Sequence, residues 1–118
     1  ITCPDIQAIC ALVAEDKLTA PVYSSPAGPI TPHDVLYGHG ASLAAGDLFM
    51  AHRCGFTQKV LAKTLEDSGF VSLGTAKRPG PSFDLWAVAC PVKTSLESLQ
   101  ELAKDHFPSS DSPGEPAS

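Results

Sequence analysis

The segment from Phe56 to Cys90 constrains this chain more than any other, because it carries its own start, stop and change of period. Thr57 fits a helix N-cap, its hydroxyl accepting from a free N–H of the first turn. Phe56 before it can pack on Leu61, the geometry of a hydrophobic staple. Val60, Leu61, Thr64 and Leu65 share one face at three- and four-residue spacing. Gly69 is the left-handed stop, and Phe70 can fold back on Leu65, the contact that accompanies a Schellman turn. Phe70–Thr75 is then short and β-rich, Arg78-Pro79-Gly80-Pro81-Ser82 punctuates the chain, and Phe83–Cys90 is almost uninterrupted apolar residue. A run such as Leu-Trp-Ala-Val-Ala-Cys does not alternate. Both its faces are therefore expected to be covered, as in the middle of a sheet with layers on each side.

With 118 residues the chain supports one domain, which buries roughly 65% of the surface exposed by the unfolded chain. The expected boundaries are 1–107 for the folded part and 108–118 for a polar, Pro/Ser-rich tail with too little apolar surface to fold. A formal net charge of −5 lacks the basic footprint of a general nucleic-acid binder. Lys59, Lys63, Lys77 and Arg78 form a locally basic stretch that a solvated helix face and turn explain. No apolar run approaches the roughly 20 residues that span a bilayer. Neither nucleic acid nor membrane is expected as a partner.

Cys3, Cys10, Cys54 and Cys90 form no CxxC pair and follow no secretory signal. They read as reduced, buried cysteines of an intracellular, cytoplasmic protein, with a disulfide framework as the alternative. The chain begins Ile-Thr-Cys-Pro-Asp and its single Met is Met50, which reads as a fragment or processed remainder of something longer.

In chain order, Ile1–Cys3 is a strand end closed by Pro4. Ile6, Ile9, Cys10 and Val13 keep helical spacing from Asp5 to about Asp16, with Pro4 and Asp5 suited to the first turn. Residues 19–41 carry four prolines and three glycines, a long loop of the kind that tends to be functional. Pro32–Tyr37 can hold a short helical turn inside it. Ser42 is expected to cap a short helix through about His52, which Gly46 weakens, and Arg53-Cys54-Gly55 is the hinge into the next helix. After Pro91, Thr94-Ser95-Leu96-Glu97 matches a capping box. Leu96, Leu99, Leu102 and Ala103 then make an amphipathic helix to about Phe107.

The stretches ITCPDIQAI, SPAGPITPHDVLYGH, FMAHRCGFTQKVLAKTLEDSGF and FDLWAVA together resemble the C-terminal half of a Rossmann-like S-adenosylmethionine-dependent methyltransferase, over about Ile1 to Ala89. The resemblance implies an α/β fold: a partial Rossmann-like sheet of strand, helices and a C-terminal antiparallel hairpin, with helices packed on it. Ile1–Cys3 would be the end of the fifth strand, Phe70–Thr75 the sixth, and Phe83–Cys90 the seventh, inserted between them. In that family the cofactor is held by a glycine-rich turn after the first strand. Here Gly38-His39-Gly40 lies in a Pro-rich loop with no apolar strand before it. The resemblance thus implies the substrate-side half of a small-molecule methylating enzyme, with no cofactor bound by this chain and no activity by itself. The alternative is a non-enzymatic interaction domain that dimerises through the exposed strand edge at Ile1–Cys3.

His33, His39, His52 and Cys54 lack the paired-ligand spacing of structural zinc sites, so no metal is expected. Cys54 and His52, two residues apart, do not face each other on a helix end, and Cys54 reads as a small buried side chain. Tyr37, His39, His52 and Arg53 are the substrate-side candidates. In the family, the segment after the fifth strand often folds over the substrate mouth, where such a set can orient an acceptor or supply a general base. The competing reading is a loop pinned by its own hydrogen bonds, with His52 and Arg53 placed favourably at a helix C-terminus. Trp86 reads as core.

Overall fold

The computed structural model describes residues 1–108. It is a mixed α/β fold in which a small antiparallel sheet is flanked by helices. The tail from residue 109 on lies outside the described residues, so only Pro108 of it is placed.

Strand β1 (Thr2–Pro4) leads into helix α1 (Ile6–Ala14). Asp5 is the N-cap rather than part of the first turn, its side chain accepting from the Ala8 N–H at 3.4 Å. Ile9 is the one fully buried residue of α1, whereas Cys10 points outward. Helix α4 (Gln58–Asp67) follows its sequence signals closely: Thr57 accepts from the Val60 N–H at 3.3 Å. At its end Gly69 takes φ +101°, the Gly69 N–H donates to the Glu66 carbonyl, and the Phe70 N–H donates to the Leu65 carbonyl. Those two bonds are the paired closure of a Schellman turn, which needs the left-handed residue that glycine supplies at no steric cost. Val60 and Thr64, expected on the buried face, are exposed; Leu61 and Leu65 alone are driven inward.

The hairpin of β4 (Ser72–Arg78) and β5 (Asp84–Cys90) is in register from Ser72↔Cys90 to Arg78↔Asp84. β4 thus begins and ends later than Phe70–Thr75, and Arg78 belongs to the strand, not to the turn. β1 pairs antiparallel with the other side of β5, giving the order β1-β5-β4. One face of β5 presents Leu85 and Ala87 to Leu61 and Leu65 of α4, with Phe56, Phe70 and Leu73 packed around them. Each such aliphatic side chain, fully buried, contributes about 1.5–3 kcal/mol. The other face presents Trp86 to helix α5 (Leu96–His106), whose following residue Phe107 sits with its ring centroid 6.0 Å from that of Trp86. Leu85 is 0% exposed. The apolar run is central because it has a layer on each side.

Ser95, not Thr94, caps α5, accepting from the Ser98 N–H at 3.2 Å. Thr94 instead donates its N–H to Ser72 Oγ, so the Thr94–Glu97 box does not form. Leu99, Leu102 and Ala103 are half-buried, and Leu96 at the start of the helix is exposed.

Residues 19–41 are not a structureless loop. They form the hairpin β2 (Tyr23–Ser25) and β3 (Gly28–Ile30), then helix α2 (Pro32–Tyr37). Ile30 and Val35 join Ile9 in a second apolar cluster, and that burial orders the segment. The helix expected from Ser42 to His52 is also broken: α3 (Gly40–Ala44) ends at Ala45, and only one 3-10 turn, Leu48–Met50, follows. Gly46 at φ +93° cannot continue an α-helix. Ser42 lies inside α3, which His39 precedes as N-cap residue.

Two carboxylates are buried. Asp84, 2% exposed, accepts from Arg78 Nε at 2.8 Å and from Arg78 Nη2 at 2.6 Å, in the fork geometry of a bidentate pair. The guanidinium also lies 5.6 Å from the Trp86 ring centroid, a cation–π distance. Arg78 is therefore part of the interior rather than of a solvated turn. Asp5, 1% exposed, faces Lys77 Nζ at 3.5 Å. The cysteines correct the sequence reading in one respect. All four are free thiols, but Cys10 and Cys54 are exposed and Cys3 and Cys90 are only half-buried. No helix among the described residues is long and apolar enough to cross a membrane.

Candidate functional site

Pro32 at the first position of α2 and Thr31 before it start that helix with a complete capping box. The Asp34 N–H donates to Thr31 Oγ1, and the Thr31 N–H donates back to Asp34 Oδ2 at 2.9 Å. The remaining Asp34 oxygen, Oδ1, accepts from the Gly40 N–H at 2.9 Å. One carboxylate therefore pins the start of α2 to the start of α3. Burial pushes its pKa up, but the Gly40 and Thr31 N–H groups, the Thr31 hydroxyl and nearby His39 outweigh that, and the group titrates below the ordinary carboxylate range.

Between these helices, the β2–β3 hairpin and the C-terminal end of β1 lies a cavity of about 370 Å³. Pro4, Tyr23, Pro26, Ile30, Val35 and Met50 form its apolar wall. Its polar groups are Ser25, Asp34, His39, Ser42 and His52. The size and the mixture match small-molecule sites, which are apolar walls with a few placed polar groups.

The four sequence candidates separate here. His39 and His52 line the cavity, and Tyr37 and Arg53 do not. Tyr37 is 58% exposed, its ring 5.1 Å from that of His33, and Arg53 is exposed on the coil before α4. His39 Nδ1 is 2.7 Å from Ser42 Oγ. His52 Nδ1 is 2.7 Å from the Val35 carbonyl oxygen, and its backbone N–H donates to the Tyr37 carbonyl at 3.1 Å. His52, an exposed residue, also borders a smaller space of about 140 Å³ beside Cys3, Cys54 and Phe56.

Asp34, Ser42 and Tyr23 belong to the site and were not singled out from sequence. Thr31-Pro32-His33-Asp34 does carry a signal, the spacing of a capping box with proline at the first helical position. Ser42 and Tyr23 carry none, because their place depends on how the hairpin folds back over α2.

The residues do not fit a bound S-adenosylmethionine. Gly38 is buried with φ +108°, and a Cβ there would run into the Met50 carbonyl. Its N–H donates to the Asp34 carbonyl and that of Gly40 to Asp34 Oδ1, so neither glycine N–H of this turn is free for a cofactor. Among the described residues, no group of three or more His, Cys, Asp or Glu side chains could hold a metal ion. No protein-family model, curated protein or solved structure matches this chain.

Proposed function

We propose that this chain is the acceptor-side half of an S-adenosylmethionine-dependent methyltransferase with a partial Rossmann-like sheet, inactive until a cofactor-binding half joins it. The observation that carries this reading is the place of the cavity. It opens beside Pro4, at the carboxyl end of β1, which is where open α/β sheets bind their ligands. The order β1-β5-β4, with the last strand inserted antiparallel between the other two, is the order the sequence resemblance implies. Among the described residues no strand pairs with the other side of β1, although Asp5 just after it bridges to Phe56. Ile1 and Ala87 exchange both backbone bonds, so by antiparallel alternation the Thr2 backbone groups face away from β5. The free thiols are in keeping with a cytoplasmic protein.

Calorimetry tests the reading. S-adenosylmethionine should give no heat with this chain, and should bind once the chain is extended upstream of Ile1 in its own reading frame. An extended chain that folds and still does not bind the cofactor sinks the proposal.

The open edge of β1 also suits the second reading, a homodimer paired through Ile1–Cys3. Three residues of edge fall well short of the roughly 1,200 Å² that specific interfaces bury, which favours the first reading. Sedimentation velocity decides it, since a monomer at 100 μM rules the dimer out.

A further inference from the structure

The Val35 carbonyl can only accept a hydrogen bond, so the His52 Nδ1 that sits 2.7 Å from it carries the proton. In the neutral imidazole this leaves the lone pair on Nε2. Among the described residues no hydrogen bond to that nitrogen accompanies the Nδ1 contact, and His52, an exposed residue, lines the cavity. His52 differs from the other cavity histidine in having its tautomer fixed by a carbonyl, whereas the His39–Ser42 contact allows either direction. Both Asp34 oxygens accept backbone N–H bonds, and His39 Nδ1 is paired with Ser42.

We infer that the cavity binds a one- or two-ring aromatic alcohol, its hydroxyl donating to His52 Nε2 and its rings lying against Tyr23, Ile30, Val35 and Met50. A cavity of about 370 Å³ suits such a ligand, near the lower end of the range for small-molecule sites. A carboxylate ligand is disfavoured by the ionised Asp34 in the wall, and a carbonyl ligand cannot use the Nε2 lone pair. That the bound alcohol is the methyl acceptor rests on the function proposed above. The binding itself does not.

The probe is 2-naphthol, compared with 2-methoxynaphthalene, which keeps the rings and lacks the O–H. Backbone amide shifts of the isolated chain report where each binds. Naphthol should move the amides of Ile30, Val35 and His39, and bind about three- to tenfold more tightly than its methyl ether, the factor for one neutral hydrogen bond. His52→Asn keeps a donor for the Val35 carbonyl and removes the Nε2 acceptor. It should erase the preference for naphthol over its ether, and the melting temperature reports separately that the fold survives. His52→Gln, whose amide reaches the Nε2 position, should restore part of the preference. Equal affinities for the two probes in the wild-type chain overturn the inference. So do shifts confined to the α5 face, or a preference that survives in His52→Asn. Should either variant fail to fold, the wild-type comparison of the two probes still decides. Naphthol binding by this chain, beside a folded extended chain that binds no S-adenosylmethionine, retires the methyltransferase reading and keeps this site.

Discussion

Replacing Arg78 by Met tests whether the buried ion pair of β4 and β5 holds the hairpin ends together. Asp84 is 2% exposed and takes both its bonds from Arg78, whose side chain is 13% exposed. Removing the guanidinium strands the carboxylate in the interior, which costs about 3–5 kcal/mol. For roughly 110 ordered residues the unfolding entropy is about 0.23 kcal/mol per kelvin, so the midpoint should fall by about 13–22 °C. A domain of this size has only about 5–15 kcal/mol in hand, so the variant should remain folded at low temperature. Asp84→Asn should cost less, because the Arg78 guanidinium can turn toward solvent while a buried carboxylate cannot. The double variant Arg78→Met/Asp84→Leu should recover about 2–3 kcal/mol relative to the sum of its singles, since no charge is left unpaired. Thermal and urea unfolding followed by circular dichroism measure these three and the single Asp84→Leu that completes the cycle. An Arg78→Met variant within 1 kcal/mol of wild type, or strict additivity in the double variant, refutes the argument.

Three further outcomes are expected. Asp34→Asn puts an amide donor against the Thr31 or Gly40 donors and should cost about 1–2 kcal/mol at pH 7. Because the folded-state pKa is lowered, this contribution is complete above the unfolded value of about 3.9 and disappears as pH falls through the folded value. Unfolding curves of wild type and variant should therefore converge in acid. Cys10 and Cys54, both exposed, should react quickly with iodoacetamide at pH 7.5. Cys3 should lag until higher pH, because burial, and then the charges of Asp5 and Asp84, push its thiol pKa up; peptide mass spectrometry reads the order. Gly69→Ala forces a Cβ into φ +101° and should lower stability by about 1 kcal/mol, visible as a shifted urea midpoint with unchanged slope.

What could be read ahead of the structure was local. Thr57, Gly69 and Phe70 bound α4 through bonds that span five residues or fewer, so the signal and its effect lie in one short window. The unalternating run from Leu85 to Cys90 announced a strand covered on both faces, because only a strand between two layers keeps apolar residues on each side. The loop at 19–41 misled for the opposite reason. Its prolines and glycines describe turns, and they do not reveal that Ile30 and Val35 would meet Ile9, some twenty residues distant, and turn those turns into a hairpin and a helix. Cysteine burial misled likewise, since an apolar neighbourhood in sequence says nothing of which face a helix such as α1 presents.

The candidate site divides along the same line. His39 and His52 were visible as residue types capable of chemistry, but Tyr37 and Arg53 had equal standing in the sequence. Only the packing of α2 and the β2–β3 hairpin with α1 sorted them, bringing two histidines into the cavity wall and leaving Tyr37 and Arg53 outside it. By itself the sequence determined where segments begin, end and prefer to bury themselves, since caps, stops and periodicity act through neighbours in the chain. Tertiary structure alone decided which His nitrogen is left free, because the Val35 carbonyl that holds the other one lies 17 residues away in the sequence.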